Sequence, residues 1–494
     1  MSPNFAYAAE CGYVTAPAHA ESPDGPKIQL AVAVVYSNGE SVAPDPVVYL
    51  DGGPGSASLE NLLPAAPFDS VLEDHDLVLF DQRGTGFSKP KPECDLSSDS
   101  FSIATDGGTA PSDAGVSADL VRGLGQCRDR AAADGIDLSM FRSTENAADV
   151  TAVREALGYS EWNVYGISYG TRYALTVLRD RPKGVKTAVI DSVVPLQADL
   201  LSDEGVSFYD DFHRIAGACM DQASCSTTYG DIESKALAAL DRMAESPPSV
   251  SVDGGSSVVV SADLAAAVFK EAMYSAETIA YLPEIIEEIY DADYSLFGAA
   301  LSDEDASSSL IDTATYLSTV CAEEAPFTSP DTLNARLASI PEGWRRWFAP
   351  TSIFAVCDAW DVPPAPPIEH EAVDSSVPVA IFSGAFDPIT PPSYGALAAQ
   401  TLSKSESVVL GAEAHGSSTS TCGQRILGGF LRDPSKPLDS SCASESPIAF
   451  QSLQAPRASP ALRFVTTRDR PPREMARRLR PRAPFPLARR VMVL

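Results

Sequence analysis

This 494-residue chain has no apolar run long enough to cross a bilayer, which takes about 20 consecutive apolar residues in a helix. Basic residues are scarce: 36 Lys and Arg stand against 67 Asp and Glu, for a formal net charge of −31. A phosphate backbone or an anionic membrane surface would repel such a chain. Nucleic acid is therefore an unsuitable partner, whereas a cationic group such as a free peptide N-terminus is a suitable one. The nine cysteines include no C-x-x-C pair, so the zinc-ribbon and thioredoxin-like patterns are missing. The opening "MSPNFAYAAECGYVTAPAHAE" has neither the basic nor the apolar region of a secretory signal. No internal repeat is found.

What is there suits one large globular domain with an insertion, or two domains. The hydrophobic share is an ordinary 44%, and a chain of this length can bury a full core without staples. The scattered cysteines fit separate disulfides in an oxidising compartment; buried free thiols in a cytoplasmic protein are the alternative. The odd count leaves at least one thiol unpaired.

Short buried runs closed by turn residues read as strands: "IQLAVAVVY" from Ile28, "PVVYLDGGPG" ending at Asp51, and "DLVLFDQRGTG" ending at Asp81. In "STENAADVTAVREALGYS", Val150, Val153 and Leu157 share a helical face, with Ser143 or Thr144 as cap and Gly158 as stop. "KTAVIDSVV", "VPVAIFSGAFDPITPP" and "SESVVLGAEAHG" continue the strand series. Strands alternating with helices imply an α/β fold with a mostly parallel central sheet covered by helices. Residues 1–195 and 372–445 read as the two parts of that core. Residues 196–371 are mainly helical in pattern and rich in Asp and Glu, and read as a large cap insertion. Residues 446–494 switch to Arg and Pro and are expected to be a disordered tail, either binding something acidic or without selected function.

In "WNVYGISYGTRYAL" a strand-like run enters Gly-Ile-Ser-Tyr-Gly and leaves as a helix. That is the setting of a nucleophile elbow, in which a strained turn lifts a serine above the sheet edge. Ser168 needs a base, and the base needs an orienting acid. Of the five histidines, only His415 follows a late strand in a glycine-flanked loop. Asp387 lies on the loop after the preceding strand; Asp191, after "KTAVI", is the alternative acid. A tetrahedral oxyanion needs backbone N–H donors: Tyr169, next to the nucleophile, and Gly53 in "LDGGPGSAS", with Gly52 as the second choice. Alternatively, Gly-Gly-Pro-Gly is only a tight turn.

"GGPGSAS" (Gly52–Ser58), "DQRGTGFS" (Asp81–Ser88) and "GISYGT" (Gly166–Thr171) together resemble the prolyl iminopeptidase and tripeptidyl aminopeptidase group of α/β-hydrolase serine peptidases. "CDAW" (Cys357–Trp360) and the closing "STCGQRILGGF…SSC" resemble the tripeptidyl aminopeptidase branch. The resemblance runs from "AECGYVTAP" to Cys442 and is weakest across the insertion. It implies hydrolysis of short peptides from a free N-terminus, without metal or other cofactor. It implies Ser168, Asp387 and His415 as the triad, with Gly53 and Tyr169 as oxyanion donors. Asp81, Gln82 and Arg83 are expected to shape the neighbouring loop. Members of this branch are commonly exported, so an extracytoplasmic or secreted location is expected despite the opening sequence, with a cytoplasmic one as the alternative. Resemblance and proximity suggest pairing Cys94 with Cys127, Cys219 with Cys225, Cys321 with Cys357, and Cys422 with Cys442, leaving Cys11 free.

An exopeptidase must hold the substrate ammonium. A buried or half-buried carboxylate in the insertion would do that, and "CAEEAPF" offers Glu323 and Glu324 next to a possible disulfide; the alternative is a solvated acidic loop. Two rival functions remain on sequence grounds. A carboxylesterase would use the same triad on small esters. A non-catalytic binding protein would keep the fold without using the triad.

Overall fold

The computed structural model describes residues 8–61, 68–94, 118–251, 257–294, 311–348, 353–443 and 448–451. Ten strands lie among them: β1 (Ala9–Pro17), β2 (Lys27–Val35), β3 (Val47–Leu50), β4 (Leu77–Phe80), β5 (Trp162–Ile167), β6 (Val185–Asp191), β7 (Ser249–Ser251), β8 (Ser257–Val259), β9 (Val379–Gly384) and β10 (Ser405–Leu410). Eight of them form one sheet in the order β1-β2-β4-β3-β5-β6-β9-β10. Neighbours from β4 to β10 run parallel, whereas β2 is antiparallel to both β1 and β4.

Strands β3, β4, β5 and β9 are buried at every position, as strands covered on both faces must be. Their side chains alternate between two cores. Val48, Leu50, Val78, Phe80, Val164, Ile190 and Ile381 fall in one apolar cluster. Tyr49, Leu79, Tyr165, Val189 and Phe382 fall in the other. Parallel pairing brings the C-terminal ends of β3, β5, β6 and β9 to one rim, where loops collect.

Strand β1 was not anticipated. It is an edge strand with the burial of a half-exposed ribbon, and "AECGYVTAP" carries a Gly, a Cys and a Pro in place of a clean alternation. The small antiparallel pair β7–β8 was also missed.

Between β6 and β9 the chain is mostly helical, with a third apolar cluster built from Phe208, Phe212, Ile215, Leu240, Phe269, Ile285, Trp344 and Phe348. Phe386 and Ala414, from loops on the rim, belong to the same cluster, so the cap is packed onto the rim. Two of its helices pack mainly elsewhere, although Phe354 of the second still touches that cluster. Thr313–Glu323 and Ile353–Trp360 instead send Leu317, Cys321, Val356 and Trp360 into the sheet's own core. The disulfide Cys321–Cys357 and a bond from Trp360 Nε1 to Ser318 Oγ (3.0 Å) join the two helices.

Disulfides also link Cys94 to Cys127, Cys219 to Cys225, and Cys422 to Cys442, and Cys11 is free. Residues 448–451 fell inside the expected disordered tail, yet they dock on the cap. Ile448 is buried, Gln222 Nε2 donates to its carbonyl (2.6 Å), and Gln451 N–H donates to Ala280 O (2.9 Å). The rest of that Arg/Pro-rich stretch lies outside the described residues. Among those described, no helix is long and apolar enough to cross a membrane.

Candidate active site

Ser168 is the first residue after β5 and caps the helix Tyr169–Asp180, with φ 58° and ψ −131°. A β-carbon side chain rarely accepts that backbone conformation, so the turn is strained and the serine is held at the rim. The glycines around it are required by contact. A Cβ on Gly166 would collide with Gly170, and one on Gly170 would collide with Leu50. The elbow is therefore wedged directly against the end of β3.

Asp387 lies three residues beyond β9, and His415 five beyond β10. His415 Nδ1 is 3.0 Å from Asp387 Oδ2 and 3.1 Å from Oδ1. Asp387 also accepts from Thr390 N–H (2.9 Å) and Thr390 Oγ1 (2.7 Å). Burial alone would raise the Asp387 carboxyl, but the neighbouring His415 and these donors hold it below the ordinary value. Burial would likewise depress His415, and the Asp387 charge, helped by Asp191 and Glu271, lifts it above its ordinary value.

Asp191, the alternative acid, makes no hydrogen bond to His415 among the described residues. It accepts from Ser417 Oγ (2.9 Å), Ser418 Oγ (2.6 Å) and Ser418 N–H (2.7 Å). Its backbone carbonyl accepts from Ser168 N–H (3.0 Å), and Ser192 Oγ accepts from Gly416 N–H (2.8 Å). The end of β6 thus ties the loop carrying His415 to the elbow carrying Ser168.

The Gly-rich loop after β3 crosses close to the serine. A Cβ on Gly52 would sit 2.9 Å from Ser168 Cβ. Gly52 N–H is taken by Asp51 Oδ1 (2.9 Å), whereas no acceptor among the described residues is recorded for Gly53 N–H or Tyr169 N–H. Asp81, Gln82 and Arg83 brace this region. Asp81 accepts from Leu59 N–H and Phe87 N–H (both 2.8 Å), and Gln82 Nε2 donates to Asp51 O (2.8 Å). Arg83 is buried against Asp149, with Nε and Nη2 each 2.8 Å from a carboxylate oxygen.

Glu323 and Glu324 lie inside the protein, not in a solvated loop. Glu323 Oε2 accepts from Ser143 Oγ (2.6 Å), Tyr169 OH (3.0 Å) and Arg172 Nε (3.1 Å), while Oε1 accepts from Ser143 N–H. Those bonds engage both oxygens of Glu323 within the protein. They also correct the expected cap of the helix Ser143–Leu157. Its first residue is Ser143, no side chain of its own segment caps it, and Glu323 fills that role from 180 residues away. Glu324 lies 3.2 Å from Arg172 Nη1, and its Oε1 is 3.1 Å from Tyr169 OH. Burial pushes the Glu324 carboxyl up to about 7 in spite of Arg172.

The cap reaches the same rim. Tyr274 lays its ring edge-on to His415 (5.3 Å between centroids), and its carbonyl accepts from His415 N–H (3.2 Å). Sequence reasoning missed Tyr274, Glu271 and Glu204. Glu271 is close enough to His415 to be influenced by it, burial having raised its carboxyl. Glu204 is raised by burial too, with Lys270 opposing. Among the described residues, no group of three His, Cys, Asp or Glu side chains could hold a metal ion.

An elbow serine at the rim of a mostly parallel, helix-covered sheet, with a His–Asp pair on the later strand loops, defines a class of hydrolase scaffold. The alpha/beta hydrolase fold family matches residues 45–418, and the chain belongs to it. It is similar to the serine protease Hip1 of Mycobacterium tuberculosis, 29% identical over 228 residues, which is 44% of this chain and 42% of that protein. It is also similar to the tripeptidyl aminopeptidase of Streptomyces lividans, 32% identical over 196 residues, 37% of this chain and 35% of that protein. These alignments span less than half the length of the curated relatives. A crystal structure of the proline iminopeptidase of Mycobacterium smegmatis aligns over 85% of this chain and 98% of its own, at 14% identity and a TM-score of 0.43.

Proposed function

We propose that the protein is a serine exopeptidase that removes residues from the free N-terminus of short peptides through an acyl-enzyme. The observation that carries the reading is His415 Nδ1 at 3.0 Å from Asp387, on loops tied by β6 to the strained Ser168 elbow. In this mechanism Ser168 Oγ attacks the scissile carbonyl while His415 takes its proton. Asp387 holds the imidazole in the tautomer that leaves Nε2 free to act, and stabilises the imidazolium. Gly53 and Tyr169 N–H groups receive the oxyanion. His415 then protonates the leaving amine, and water resolves the acyl-enzyme.

The similarity to a serine protease and a tripeptidyl aminopeptidase supports peptides as the substrate class. The acidic face of the cap supports a free amine. With Glu323 already bonded to Ser143, Tyr169 and Arg172, Glu204 and Glu271 near Tyr274 are the carboxylates proposed to meet the substrate ammonium. Four disulfides fit an extracytoplasmic location.

The test is hydrolysis of Ala-Ala-Pro-aminocoumarin with a free and with an acetylated N-terminus, by the wild type and by Ser168→Ala. Cleavage of the free peptide only, abolished by Ser168→Ala, is expected, and the first fragment released gives the step length. Turnover of a nitrophenyl ester with neither peptide cleaved would replace the peptidase reading by an esterase. Glu204→Gln should raise KM for the free-amine substrate and leave the kcat of that substrate within about twofold, since a contact made equally in ground and transition states changes KM alone.

A further inference from the structure

The two N–H groups proposed to receive the oxyanion come from different parts of the chain. Gly53 sits on the loop after β3, and Tyr169 opens the elbow helix. Pairing of β3 with β5 and the close contacts of Gly52 with Ser168 and of Gly170 with Leu50 bring the two segments together, but an oxyanion hole works only if both donors converge on one point. A further element is bonded to both sides, the buried helix Thr313–Glu323 of the insertion.

Its leading end is bonded to the Gly-rich loops. Asp312 N–H donates to Gly55 O (2.9 Å), and Ile311 pairs with Ser56 as an isolated antiparallel bridge. Asp312 Oδ2 accepts from Gly86 N–H (3.1 Å), and Thr315 Oγ1 donates to Gly84 O (3.0 Å). The approach is backbone to backbone. Gly55 has φ 98°, and a Cβ there would stand 2.9 Å from Asp312 O. The trailing end is bonded to the elbow. Glu323 and Glu324 sit on either side of the Tyr169 hydroxyl, and Arg172, two residues after Gly170 on the same helix, pairs with both carboxylates. Between the two ends, the residues from Leu317 to Glu323 are all buried. The Cys321–Cys357 disulfide and the Trp360 bond to Ser318 restrain the helix from behind. A rigid element bonded at both ends transmits any displacement of one loop to the other.

We propose that the helix Thr313–Glu323 sets the separation and aim of the Gly53 and Tyr169 N–H groups, with Glu323 and Asp312 as positioning residues that act through Tyr169 and Gly55. Their role is to hold the oxyanion donors. They do not bind substrate. The proposal rests on the reading of Ser168 as the nucleophile.

Tyr169→Phe and Thr315→Val test it from the two ends. Each removes one hydroxyl and keeps the backbone N–H groups. Both are compared with the wild type for Ser168 labelling by a fluorophosphonate, for kcat and KM on the free-amine peptide, for inhibition by a peptide boronic acid, and for Tm. The boronate adduct of the serine carries an oxygen where the oxyanion forms, so its affinity reports the donors. Misplacement by a fraction of an ångström to 1 Å is expected to lower kcat by about tenfold or more, with KM within about twofold. The boronate Ki should rise by the same factor as kcat/KM falls. A lower Tm with kcat and boronate Ki unchanged would make the helix a structural support only, and a raised KM at constant kcat would return the cluster to substrate binding; either overturns the proposal. If Tyr169→Phe does not fold, Thr315→Val alone must show the paired loss of kcat and boronate affinity. A wild type that the fluorophosphonate does not label overturns the Ser168 reading and this proposal with it. A labelled wild type whose variants keep full kcat overturns this proposal alone.

Discussion

Asp191 and Asp387 are the same residue type at matching places, at or just beyond the ends of β6 and β9, which pair side by side. Both are fully buried, and burial by itself raises a carboxyl. Their environments then part. Asp387 faces an imidazole and is held below its ordinary value. Asp191 faces hydroxyls and a backbone N–H, and its carboxyl stays raised. Asp387 is bonded directly to the imidazole and to Thr390, whereas Asp191 feels the His415 charge without a bond to it, and its hydroxyl and N–H donors do not outweigh desolvation. The two aspartates therefore suit two tasks: Asp387 to stabilise an imidazolium, Asp191 to hold the loop that presents it.

The widest separation between them should come from isosteric amides. Asp387→Asn keeps the shape but presents His415 with the wrong tautomer and no counter-charge. A loss of about 10⁴-fold in kcat is expected, measured on the free-amine peptide. Asp191→Asn disrupts the bonds to Ser417 and Ser418 and the long one from Ser192 Oγ, none of which reaches the imidazole. Its activity loss should be about tenfold to a hundredfold through a shifted His415 loop. It should also cost about 1–3 kcal/mol of stability in a denaturant titration, because a buried donor loses its acceptor. Equal activity losses in the two variants would mean that Asp191 shares the charge-stabilising task.

The same pair marks how far the chain can be read without coordinates. Ser168, Asp387 and His415 could be singled out because each follows a strand and carries local punctuation: Gly-x-Ser-x-Gly, Asp-Pro, Ala-His-Gly. Strand order along the chain then brings them to one rim. The sequence favoured Asp387 over Asp191, but both end strands, and it is the loop geometry that places the Asp387 carboxylate against Nδ1. The partners of Glu323 were not legible for a related reason. Next to Glu324 in an acidic protein it looks like a surface or site carboxylate. Its partners Ser143, Tyr169 and Arg172 are more than 150 positions away in sequence, and no local pattern announces a cap supplied from that distance. Strand β1 escaped because an edge ribbon needs only partial alternation. Residues 448–451 escaped because four docked residues cannot outweigh the composition of the stretch that contains them.

The finest distinction concerns charge near His415 that is not bonded to it. Asp387, Asp191 and Glu271 all raise His415 above its ordinary value of 6.5. The base must be neutral to accept the Ser168 proton, so activity rises as pH climbs through the His415 pKa. The acid limb of kcat/KM should consequently lie above 6.5 in the wild type. Glu271→Gln removes one negative charge and no hydrogen bond to the imidazole. It should move the limb to lower pH, since the imidazolium loses a stabilising neighbour, and leave the high-pH plateau of kcat within about twofold. Asp191→Asn should move the limb in the same direction but lower the plateau as well, because it also loosens the loop. A limb that stays in place in Glu271→Gln while the free-amine KM rises would mean that this carboxylate acts on the substrate alone. The electrostatic lift of His415 would then come from the two strand-end aspartates.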